Sequence, residues 1–159
     1  MNRPSHLRLS YLGLALLGGT FGTAAREALT LIVPPISGIP VAIFAINILG
    51  AFCLGLLLDA LARRGPDEGL RRTARILLGT GFMGGFTTYS ALAVDTAALL
   101  GEGAVGTGLG YGLLTVLIGA AATWAGIAVA TLTHRSGSAV PPQRDADLAE
   151  SDTRSGGAR

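Results

Sequence analysis

Four long apolar stretches, separated by short polar or turn-forming segments, dominate the chain. The first runs roughly from Leu9 to Ile32 and is ended by the pair Pro34 and Pro35. The second covers about 39–61 and opens with Pro40, which suits a first helical turn because its missing N–H would have no partner there. The third covers about 76–100 and the fourth about 105–132, with Glu102 and its glycines as the turn between them. A helix of about 20 residues, rising about 1.5 Å per residue, crosses a hydrocarbon core. The pattern predicts an all-α membrane protein with four transmembrane helices, contained in a domain of residues 1–133. From His134 to Arg159 the chain turns polar and rich in Ser, Pro, Arg and Asp, which predicts a disordered tail.

Composition agrees with the pattern. Only 14% of the 159 residues are charged, against about a quarter in soluble domains, and the charges avoid the apolar runs. A cleavable signal peptide is not expected, because Gly19 to Glu27 offers no convincing small-residue cleavage site and further spans follow. The one cysteine, Cys53, lies in an apolar run and supports neither a disulfide framework nor a cysteine metal site. The 24 glycines sit largely inside the apolar runs, with pairs four apart at Gly18 and Gly22, Gly81 and Gly85, and Gly108 and Gly112. Small residues let helices approach closely in lipid, so a tight bundle with an oligomeric interface is one reading. A GC-rich genome is the other.

The arginines orient the bundle. Arg3 and Arg8 precede the first span; the loop between the second and third spans holds Arg63, Arg64, Arg71, Arg72 and Arg75; Arg135, Arg144, Arg154 and Arg159 follow the fourth span. With four spans these segments share one side, and the two opposite loops carry no basic residue. The positive-inside rule then places both termini in the cytoplasm of a bacterial inner-membrane protein.

The third span holds the least helix-like stretch, LGTGFMGGFTTYSAL from Leu78 to Leu92. Two readings stand. The helix breaks near Gly84 and Gly85, freeing carbonyls for a small cation, or it is merely kinked, with Ser and Thr bonded back to their own backbone. Gly79, Gly81 and Gly84 match a nucleotide fingerprint formally, but no strand precedes them, so the match carries nothing. No Walker lysine, catalytic triad or His/Cys cluster is present, which argues against an enzyme; His6 and His134 flank the bundle and read as solvated. Arg26, Glu27, Asn47 and Asp95 lie within spans, where a charge costs at least about 2.5 kcal/mol at mid-membrane. Arg26 faces a partner or snorkels to the surface. Asn47, mid-span, faces a pore or bonds another helix. Asp95 faces a cavity or lies near the boundary.

Three segments together resemble the Fluc (CrcB) fluoride-channel family. Gly18 to Glu27, GGTFGTAARE, is similar to its G-G-x-x-G-x-x-x-R signature. Asn47 to Phe52 with Gly55 resembles V-N-x-x-G-x-F-x-x-G. Gly84 to Ser90, GGFTTYS, resembles G-G-x-T-T-F-S-T-F at the family's helix break. The resemblance implies an antiparallel dimer with fluoride pores and a central sodium ion. It implies that the carbonyls of Gly84 and Thr87 bind the sodium, and that Asn47 and Ser90 line the anion path. Tyr89 would supply an aromatic edge, Arg26 would give a vestibule positive potential, and Tyr111 and Thr115 would form a hydroxyl track. Such groups can replace the water around fluoride.

The departures remove anion donors. The family's second pore phenylalanine falls at Leu92, its second-span threonine at Ile43, a hydroxyl after Ser90 at Ala91, and the end of the hydroxyl track at Gly119. An antiparallel homodimer also needs one sequence to insert both ways, whereas eleven of the twelve arginines lie on one side. The expectation is therefore a subunit that pairs as a homodimer or with an oppositely oriented homologue in a heterodimer, lowering cytoplasmic fluoride by passive efflux across the lipid membrane. A small proton-coupled multidrug transporter and a non-conducting assembly subunit are the alternatives.

Overall fold

The structure, a computed structural model, describes residues 9–137, with side chains through His134. Expectations that concern His6, Arg3, Arg8 and the tail beyond Gly137 fall outside the described residues. The chain forms α1 (Leu9–Ile32), α2 (Val41–Arg63), a composite helix α3, α4 (Tyr89–Gly101) and α5 (Val105–Gly137). Helix α3 runs through three contiguous pieces, Gly69–Ala74, a widened π-helical Arg75–Met83, and Gly84–Phe86. Helix α2 and the Val105–His134 part of α5 are each long and apolar enough to cross a membrane. Together α3 and α4 occupy the third apolar run, separated by the two extended residues Thr87 and Thr88.

Two helix ends differ from the hydrophobic pattern. Helix α3 starts at Gly69, ahead of the apolar run, so Arg71, Arg72 and Arg75 lie on a helix and not in a loop. Arginine is a good helix former, and Asp67 at the start of the helix accepts from Arg75 at 3.0 and 2.7 Å. Helix α5 continues past Leu132 to Gly137, since no proline or glycine interrupts it sooner. Between α1 and α2, Ile36 and Ile39 pair across a two-residue turn with positive φ at Ser37 (52°) and Gly38 (79°). That is the backbone a tight hairpin turn demands.

Glycine contacts set the packing. Helices α1 and α3 run parallel: a methyl group on Gly18 would overlap the Leu77 carbonyl, and one on Gly22 the Phe82 carbonyl. From the other side, Gly81 meets Ala15 and Gly18, and Gly85 meets the Gly19 carbonyl. Helices α2 and α5 also run parallel, with Gly55 against Thr123 and Gly126 against Phe52. Gly108 and Gly112 receive Leu99, Leu100 and Thr96 of α4. The approaches at Gly18, Gly22, Gly55, Gly85 and Gly126 are to backbone and leave no room for a side chain, the device by which helices associate without a hydrophobic driving force. Large apolar side chains such as Leu16, Phe21, Val94, Leu113 and Trp124 point outward, as a lipid-facing circumference requires.

Candidate functional site

The site is built on the interruption between α3 and α4. Thr87 (φ −78°, ψ 154°) and Thr88 (φ −149°, ψ 119°) leave helical geometry, which would strand several backbone groups. Asn47 of α2 answers this directly. Its Nδ2 donates to the Thr88 carbonyl at 3.0 Å, and its Oδ1 accepts from the Thr88 N–H at 2.8 Å. Only one orientation of the amide satisfies both bonds. Thr88 then caps α4, its Oγ1 accepting from the Ala91 N–H at 3.1 Å.

These bonds redirect two donors. In an uninterrupted helix the Thr88 N–H would serve the Gly84 carbonyl, and the Ala91 N–H would serve the Thr87 carbonyl. Here both go to side chains, Asn47 and Thr88. The carbonyls of Gly84 and Thr87 thereby lose their helical partners. Gly84 is exposed and Thr87 half-buried. The next carbonyl, Gly85, receives Arg26 Nε and Thr23 Oγ1, each at 3.4 Å. Arg26 thus faces α3, with its side chain only 21% exposed, and its contact with Glu27 is a loose 3.9 Å. Of the two readings of Arg26, the inward one holds.

The remaining anticipated residues divide. Ser90 joins the interruption, its hydroxyl 3.1 Å from that of Thr88. Tyr89 does not; it is 80% exposed on the outside of the chain. Tyr111 and Thr115 are buried together on α5. The Tyr111 hydroxyl lies 3.3 Å from Asp95 Oδ2 and 3.4 Å from the Pro40 carbonyl, and Thr115 donates to the Tyr111 carbonyl at 2.6 Å. Both hydroxyl hydrogens therefore point at protein acceptors. Tyr111 packs in an apolar cluster with Ile43, Leu92 and Leu99, against which Ala91 also rests. Three of the positions that depart from the family pattern, Ile43, Ala91 and Leu92, thus converge in one place.

Sequence reasoning missed Thr88 and Thr23. Thr88 carries a readable signal, since a threonine before a helical run is a strong N-cap. Thr23 carries none, because its partner is 62 residues away. Phe82 and Phe86 also stack beside the interruption, with ring centroids 5.9 Å apart, and the Phe86 ring lies against Gly50 of α2.

Comparison with known proteins covers this whole assembly. The family described as CrcB-like protein, Camphor Resistance (CrcB) matches residues 13–127, from α1 into α5. The chain is 52% identical over 126 residues to fluoride-specific ion channel FluC 2 of Leifsonia xyli subsp. xyli, covering 79% of this chain and 87% of that protein. It is 44% identical over 117 residues to FluC 1 of Cutibacterium acnes, covering 73% and 82%. It is 41% identical over 114 residues to FluC of Paracoccus denitrificans, covering 71% and 88%. With an all-helical bundle and two helices long and apolar enough to span a bilayer, the chain is a membrane protein that belongs to the CrcB family.

Proposed function

We infer that the chain is a subunit of a fluoride-specific channel in the bacterial plasma membrane, with both termini cytoplasmic, lowering internal fluoride by passive efflux. The observation that carries this reading is the identity with relatives named fluoride-specific ion channels. The family match spans Arg26, Asn47 and the Thr87–Thr88 interruption. The four apolar segments cross the bilayer, and the interruption lies at membrane depth, where irregular backbone must be buried or line a wet cavity.

The chemistry of the interruption suits an anion beside a cation. Asn47 uses one amide hydrogen on Thr88, which leaves its second N–H for fluoride. The Ser90–Thr88 pair shares one hydroxyl hydrogen, so a second is free to point at the ion. Arg26 adds positive potential behind the Gly85 carbonyl. The carbonyls of Gly84 and Thr87, deprived of helical donors, fit the oxygen preference of a sodium ion. Discontinuous helices in other membrane proteins offer the same ligand. The exposure of Gly84 in this chain suits a second subunit supplying the same pair. Sodium there would hold the dimer and offset the dipoles of the freed carbonyls.

Two features favour a heterodimer. Three of the four positions that lack the family's donors, Ile43, Ala91 and Leu92, form or abut one apolar cluster with Tyr111. Arginine bias fixes a single orientation, whereas an antiparallel partner must insert the other way. Growth of a fluoride-sensitive bacterium lacking its own fluoride exporters tests the reading. Expression with an oppositely oriented CrcB homologue should restore growth in fluoride, and Asn47→Leu should abolish the rescue. Full rescue by this chain alone, with molecules in both orientations, would discard the heterodimer. Absence of rescue in every combination, with the protein present in the membrane, would discard the channel.

A further inference from the structure

A groove of about 340 Å³ opens between α1 and α3 at the arginine-rich end of the bundle, apart from the interruption. Arg72, Arg75 and Tyr11 surround its mouth, and Leu12, Ala15, Ile76 and Thr80 form its walls. We propose that this groove binds an anionic phospholipid, its phosphate at Arg72 and Arg75 and one acyl chain along the apolar walls. Arg72 in the α-helical piece and Ile76 and Thr80 in the π-helical piece all line the groove, since a spacing of four keeps residues near one helix face. The groove thus runs inward from its charged mouth for roughly 10 Å. That shape, cationic at one end and apolar along its length, matches a lipid and not a free ion.

Charge at the mouth is in excess. The carboxylate of Asp67 accepts from Arg75 at 2.7 Å and lies 3.5 Å from Arg72. One carboxylate therefore serves two guanidinium groups, and Arg72 also meets Tyr11; the five N–H donors of each guanidinium exceed these contacts, and the two arginines with Asp67 carry a net positive charge. The side chains of Arg72 and Arg75 are 27% and 41% exposed, half-buried enough to hold position yet open to a headgroup. Arginine forks suit phosphate oxygens. In a chain whose basic end faces the cytoplasmic leaflet, anionic headgroups lie at that depth.

Native mass spectrometry of the detergent-purified full chain tests this, with phosphatidylglycerol and phosphatidylcholine of equal acyl length added separately. Retention needs no fluoride conduction, so its outcome is separate from the channel reading. Phosphatidylglycerol should be retained preferentially, and Arg72→Gln with Arg75→Gln should reduce that preference about tenfold to thirtyfold. Thr80→Phe, which fills the wall and leaves the arginines intact, should weaken retention of the lipid as well. Arg64→Gln with Arg71→Gln, removing equal charge outside the groove, should leave the preference in place. Equal retention of the two lipids overturns the proposal, as does an equal loss in the outside pair. Displacement of phosphatidylglycerol by inorganic phosphate with no effect of Thr80→Phe would overturn it too, by marking an ion site.

Discussion

Replacing Asn47 by leucine tests the part of the structure on which the site depends. The change keeps the number and branching of side-chain heavy atoms, at a larger volume, while removing both bonds to Thr88, at 3.0 and 2.8 Å. The Thr88 N–H and C=O are left half-buried at a break where no helical partner exists. Interhelical side-chain bonds in membrane proteins average about 0.6 kcal/mol and reach about 1.7 kcal/mol. Two bonds to one residue thus predict a loss of about 1–3 kcal/mol, toward the upper end because the stranded groups are backbone. Reversible unfolding in mixed micelles reads the change as a shift in midpoint at constant slope. Hydrogen exchange should show faster opening of α4, from Tyr89 onward, than of α1. A change below about 0.5 kcal/mol, with α4 exchange unaltered, would refute the idea that Asn47 holds the interruption in place.

Other expectations follow from packing and charge. Gly22→Val should destabilise by about 1–3 kcal/mol or more, because the new side chain meets the backbone of Phe82 and Phe86. Gly106→Ala, which meets open space, should be neutral or stabilise by up to about 1 kcal/mol through helix propensity; thermal unfolding of the pair distinguishes the two. The Asp67 carboxyl is held below its usual range, first by the hydrogen bond from Arg75; desolvation opposes this, and the charges of Arg75 and Arg72 add to the lowering. A lowered carboxyl contributes stability that is complete above the ordinary value near 3.9 and is lost as pH falls through the lowered one. Carboxyl-carbon NMR should place the Asp67 midpoint below that ordinary value, and Asp67 with a midpoint at or above it would contradict the pairing. Thr88→Ala removes the cap on α4 and should cost about 1 kcal/mol, measured in the same unfolding assay.

The four apolar runs and their punctuation were legible because each rests on local chemistry. The pair Pro34 and Pro35 lies just past the end of α1 at Ile32, and the Gly18/Gly22 and Gly81/Gly85 spacings mark the faces on which α1 and α3 meet. The cost of Asn47 in mid-span was equally plain, but not its partner, since Thr88 is 41 residues away and only tertiary packing brings them together. The same holds for Tyr111 and Asp95. Helical spacing puts Tyr111 and Thr115 on one face, yet it does not say that both hydroxyls are bonded within the chain. The π-helical stretch of α3 left no signature in the apolar pattern; two different helices pack on it, α1 at Gly81 and the leucines of α2 at Gly79. The helical start at Gly69 is hidden by the charge of residues 71, 72 and 75, which breaks the apolar pattern although arginine is a good helix former.

Fluoride efflux from proteoliposomes addresses the central claim most directly. Vesicles loaded with potassium fluoride, holding this chain together with an oppositely oriented CrcB homologue, should release fluoride when valinomycin supplies the potassium pathway. Chloride should stay inside, and no proton gradient should be needed. The Asn47→Leu chain in the same vesicles should reduce the fluoride signal. Contradiction would come from folded protein that releases no fluoride alone or with the homologue, or from transport that follows a proton gradient and carries a lipophilic cation instead.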